Sequence, residues 1–170
     1  MIRLIFLIVA FILLSTGELG FISALPFPMD RTPLLLVVSV FLFQSFDVGP
    51  SAWWVVFHGL MLDLMGTSFV RLETLSYSAA AVVLVLCSRH LFSNRSFWGI
   101  LGTFTLSLLA LTCMEVILSV FQVIFQNGSL SFQALLSLRL WGLGMGAILL
   151  LLFFPLSEFF VRLHTRFLSS

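Results

Sequence analysis

Residues 98–125 read WGILGTFTLSLLALTCMEVILSVFQVIF, an apolar run interrupted by Glu115 and Gln122. A bilayer core about 30 Å thick takes roughly 20 residues of helix per crossing, so this stretch is long enough to span one. The rest of the chain matches it. Of 170 residues, 61% are hydrophobic and 9% charged, against about 25% charged in an ordinary soluble domain. Mean hydropathy is +1.20. There are 20 Phe and no Lys. So few charges cannot cover a water-facing surface. The sequence therefore predicts an all-α, polytopic membrane protein. Its net charge of +1 gives no electrostatic signature for nucleic acid or acidic substrates.

Outward from that helix, turn residues divide the chain into about six apolar segments: 2–25, 33–46, 52–70, 74–91, 97–126 and 132–160. The first is interrupted by Gly17, Glu18 and Gly20, and three prolines (Pro26, Pro28, Pro33) end it. Its one early Arg and poor small-x-small site argue for a retained helix over a cleaved signal. The second is too short for an upright crossing, so a tilted or partly re-entrant helix is expected. Trp53, Trp54, Trp98 and Trp141 lie near helix starts, the depth of an aromatic belt. Cys87 and Cys113 fall inside apolar runs and read as small core residues. With six crossings and the N-terminus inside, Arg3, Arg89, Arg95, Arg162 and Arg166 lie on the cytoplasmic side. Arg31 and Arg71 then lie outside. The excess of arginine inside predicts cytoplasmic termini.

Ionisable groups in hydrocarbon cost about 2.5–3.5 kcal/mol each on insertion scales, so each needs a partner. His58, Asp63, Glu115 and Arg139 are such groups, with Glu18 nearer a helix end. Gly59, Asp63 and Gly66 share one helix face by their spacing, and small residues there let a neighbouring backbone approach. Asp63 reads as an inter-helix clamp, either to Arg139 or to backbone amides at a break; the competing reading is proton or cation coupling, or part of a ligand pocket. Glu115 reads as hydrogen-bonded packing and Arg139 as half of a buried pair. Gly142 and Gly146 form a GxxxG step that serves internal packing or association. His58 stands five residues from Asp63, off its face, so the two are not a metal-ligand pair. The sequence has no phosphate-binding glycine loop, zinc-protease motif or nucleophile elbow. No catalytic, cofactor-binding or metal site is expected.

The segment Arg31-Thr32-Pro33-Leu34-Leu35-Leu36, followed by a polar turn and then Gly59-Leu60-Met61-Leu62-Asp63-Leu64, resembles the bacterial rod-shape-determining MreD family. That family carries an early R-P-(D)-L-L-L segment and a G-L-x-x-D-L helix. Here Thr32 is inserted, no Asp follows Pro33, and the P-L-G step after the second motif is missing. The resemblance covers about 40 residues. It implies a bacterial inner-membrane, non-catalytic scaffold in the cell-elongation complex that builds peptidoglycan. The partners it implies are membrane lipids, a bitopic MreC-like protein, an MreB-like filament, a RodA-type glycosyltransferase and a penicillin-binding transpeptidase. It also implies a fold similar to the substrate-binding subunits of energy-coupling-factor vitamin transporters, which supply the alternative function. Those subunits use Ala-rich packing in the first helix, whereas Ala10 is the sole alanine here before Ala24.

Overall fold

Every backbone N–H and C=O in hydrocarbon needs an internal partner, which leaves the helix as the natural unit for this sequence. The computed structural model describes residues 2–65, 73–92, 96–126 and 132–168. They form six α-helices: α1 (Ile2–Thr16), α2 (Leu34–Phe46), α3 (Ser51–Met65), α4 (Glu73–Leu86), α5 (Phe97–Gln126) and α6 (Phe132–Leu168). There is no strand among the described residues. Stretches 5–24, 73–91, 97–121 and 136–155 are long and apolar enough to cross a membrane. The protein is a helical membrane bundle.

Several expected helices change character at their ends. The first passes at Gly17 into a π-helical turn (Gly17–Phe21) and a 3-10 turn (Ile22–Ala24). A second 3-10 turn, Met29–Arg31, precedes α2, and the Phe27–Pro28 bond is cis. Another π turn, Cys87–Leu91, extends α4. The last helix continues past residue 160 to Leu168, with Pro155 inside it.

The short helices α2 and α3 form a hairpin. Thirteen and fifteen residues give about 20 and 22 Å, short of a 30 Å core. Asp47 takes the left-handed conformation (φ 54°) that closes α2, a state Asp tolerates better than most residues. The Ser51 hydroxyl then latches the turn, donating to the carbonyls of Ser39 (3.1 Å) and Val48 (2.7 Å). The α2 helix forms the centre of the molecule, with Leu35, Val37 and Val40 wholly inaccessible.

Helices α3 and α4 run antiparallel with their closest approach at Gly59. A Cβ there would lie 2.8 Å from Tyr77 Cβ and 3.0 Å from the Glu73 carbonyl oxygen. Only glycine admits this spacing. Helices α5 and α6 also run antiparallel. Phe97 meets Phe154 at one end of the pair (5.7 Å between ring centroids), and Glu115 meets Arg139 toward the other. Helix α1 lies at the periphery, with Phe6, Val9 and Leu13 exposed. In water this would be a large unprotected apolar face; in lipid it is the correct outer surface.

Candidate functional site

The polar side chains gather at the end of the bundle where α3 finishes and α4 begins. Asp63, in the last turn of α3, accepts hydrogen bonds from the backbone N–H groups of Glu73 and Thr74, each at 2.9 Å, and from the Thr74 hydroxyl. Glu73 and Thr74 open α4, and the first N–H groups of any helix lack intrahelical acceptors. Asp63 therefore caps α4 from a neighbouring helix, with its charge at the positive end of the helix dipole. This is the clamp to backbone amides. The alternative Asp63–Arg139 pair that the sequence also suggested is not found among the ion pairs of the described residues, and the carboxylate is engaged by the two aligned donors of the α4 terminus.

Arg139 is held by Glu115 instead. Its Nε donates to Glu115 Oε2 at 2.9 Å, and its Nη2 donates to Glu115 Oε1. This two-point contact uses the fork geometry peculiar to arginine. It ties the start of α6 to the middle of α5.

Glu18 repeats the logic of Asp63. Its Oε2 accepts from the Leu35 N–H at 2.6 Å, an otherwise unsatisfied donor in the first turn of α2. Pro33, the residue that caps α2, supplies no side-chain acceptor. Glu18 Oε1 lies 3.6 Å from His58 Nε2, beyond direct hydrogen bonding. His58 is 1% exposed and packs edge-on against Tyr77, with ring centroids 5.4 Å apart. Its Nδ1 has no hydrogen-bond partner among the described residues.

The expected packing glycines separate by role. Gly59 sits at the α3–α4 crossing, whereas Gly66 falls outside the described residues. A Cβ on Gly142 would lie 3.2 Å from the Arg31 carbonyl oxygen, and one on Gly146 would lie 2.2 Å from Phe104 Cζ. The Gly142–Gly146 step thus seats α6 against the segment before α2 and against α5. Gly144, between them, faces open space. Both cysteines are free: Cys87 is buried, and Cys113 is exposed on α5 instead of lying in the core as expected.

Tyr77, Glu73 and Thr74 joined this site without being singled out for it, and Glu18, named only as an ionisable group near a helix end, proved to be part of it. Gly17-Glu18-Leu19-Gly20, which interrupts the first helix, was the available signal for Glu18. For Tyr77, the signal was its being the chain's one tyrosine. Chemically the arrangement binds helix ends and pairs charges. Among the described residues, no group of three His, Cys, Asp or Glu side chains could hold a metal ion. No family model, curated protein or solved structure matches the chain.

Proposed function

We propose that this chain is a non-catalytic scaffold of the bacterial inner membrane that serves the cell-elongation machinery, as the resemblance to the MreD family implies. The observation that carries the proposal is the use made of the resemblance-bearing residues. Gly59 admits α4 at contact distance, and Asp63 caps it. The motif is thereby consumed in holding helices together. Glu115 and Arg139 are likewise spent on each other, which supports a structural role over ion coupling. The partners would be a bitopic MreC-like protein, an MreB-like filament, a RodA-type glycosyltransferase and a penicillin-binding transpeptidase.

We further infer six crossings with both termini cytoplasmic. The α2–α3 hairpin starts at the Glu18 and Gly142 level. Its turn reaches the other end, where Gln44 Nε2 donates to the Phe92 carbonyl oxygen at 2.6 Å. There Gly49 shares a cleft with Leu86 and Arg89. Two helices that are individually short therefore run between the same levels as α4, with the bilayer thinned or the helices recessed to match. A cysteine introduced at Asp47 should be labelled from the cytoplasmic side; labelling from the outside alone would make the hairpin re-entrant.

The function is tested by crosslinking in cells, purification in mild detergent and identification of co-purifying proteins, together with depletion. Recovery of the bitopic protein and the glycosyltransferase, with rod cells turning round, is the expected result. Unchanged rod shape with lost vitamin uptake would transfer the chain to the transporter class.

A further inference from the structure

At the end of the bundle opposite the carboxylate clamps, the α2–α3 turn and the second half of α4 enclose a cleft of about 500 Å³. Phe43, Ala52 and Val56 form one wall, and Ala81, Val82 and Val85 form the other. Ser78 closes the far end, but its hydroxyl is spent on the Thr74 carbonyl oxygen at 2.6 Å, so that end is effectively apolar. Arg89 lies at the opposite end, and Trp53, 64% exposed, lines the cleft from the start of α3. Arg89 is exposed, with no carboxylate within ion-pair distance among the described residues. Asp47, on the adjoining turn, does not line the cleft.

From these features we infer a binding site for one anionic phospholipid, taken from the leaflet at the Arg89 end. One acyl chain lies along α4 toward Ser78, and the phosphate is received by the Arg89 guanidinium and the Trp53 indole N–H. From Ser78 to Arg89 the cleft runs about 16 Å at 1.5 Å per residue, a narrow apolar channel suited in length to an acyl chain. The charge arrangement agrees, because a lipid is apolar over the length of the cleft and anionic at one end, and the cleft presents the complement. Arginine is suited to the phosphate by its planar set of donors, and basic residues at a membrane surface attract anionic headgroups generally.

The test is native mass spectrometry of the full chain in mild detergent with phosphatidylglycerol or phosphatidylcholine of identical acyl chains. Both lipids carry the phosphodiester, but only phosphatidylglycerol is net anionic, because the quaternary ammonium of phosphatidylcholine offsets its phosphate. Wild-type protein should therefore retain phosphatidylglycerol with about tenfold preference. Arg89→Gln should abolish that preference by lowering phosphatidylglycerol retention more than phosphatidylcholine retention. Val82→Trp adds bulk at a position already 58% exposed and so leaves the core packing intact; it should reduce retention of both lipids about tenfold. Thermal unfolding of each variant, matching wild type, secures the comparison. Equal retention of the two lipids by wild type would overturn the inference, as would an undiminished preference in Arg89→Gln or unchanged retention in Val82→Trp. A partner helix in the cleft, blocked by Val82→Trp while phosphatidylglycerol still binds, would overturn it too.

Discussion

Replacing Asp63 by alanine should detach the start of α4 from the end of α3, and the structure sets the size of the effect. Among the described residues, three hydrogen bonds are lost, two from backbone N–H groups and one from the Thr74 hydroxyl. Loss of an N-cap typically costs about 0.5–2 kcal/mol, and each donor left unsatisfied away from water adds about 1–3 kcal/mol. Asp63 is only half-buried, so some water reaches the vacated donors, and about 2–4 kcal/mol in total is a reasonable expectation. Asp63→Asn should cost about half as much, because its amide oxygen still accepts one N–H while its NH₂ group faces the other. Thr74→Val should cost about 1 kcal/mol, the worth of a single hydrogen bond. Equilibrium unfolding of the purified protein in mixed micelles, titrated with a denaturing detergent, gives the three values. The diagnostic is their order: Ala worst, Asn intermediate, Val mildest. Asparagine as damaging as alanine would mean that the charge matters and not the acceptor geometry. Unchanged stability in all three would refute the capping argument outright.

The Glu115–Arg139 pair is half-buried, so Glu115→Gln and Arg139→Gln should each destabilise by about 2–4 kcal/mol. The double variant should be milder than their sum, and a double-mutant cycle in the same micelles measures the coupling. Glycine positions should divide sharply: Gly144→Ala should be neutral because open space lies beside it, whereas Gly146→Ala should cost about 1–3 kcal/mol by driving into Phe104. Gly59→Ala should loosen the α3–α4 crossing by a similar amount, and its combination with Asp63→Ala should be non-additive because both act on the α4 terminus.

Hydropathy revealed the class of fold because hydrocarbon imposes one demand at every residue of a span. The long apolar runs 98–125 and 132–160 could be read as crossings directly; α5 kept its expected bounds, and α2 began one residue later than expected, at Leu34. What escaped was the pairing of charges. Local rules look for a capping side chain next to the helix it caps, and α5 obeys them: Ser96 Oγ accepts from the Gly99 N–H at 3.2 Å. The starts of α2 and α4 are capped from elsewhere, by Glu18 and Asp63, at sequence separations of 17 and 11 residues or less. Spacing along one helix cannot show a bond of that kind. It does show that Asp63 shares a face with Gly59, and that was enough to expect a backbone nearby.

The distant capping also explains why these carboxylates tolerate their surroundings. A helix end in hydrocarbon presents unsatisfied donors, and a buried carboxylate lacks hydration; each is costly alone. Joined, they remove both costs, and the join forms only if the two helices are in register. Glu18 thus sets the depth of α2 against the first span, and Asp63 sets α4 against α3. Glu115 and Arg139 do the same for α5 and α6. Glu18, Asp63 and Glu115 each tie together two elements that the lipid by itself would leave free to slide, since hydrocarbon does not drive helices together. A bundle held at three such points presents a rigid outer face of Ile, Leu, Val and Phe, and any contact made along that face would be selected by shape rather than by charge.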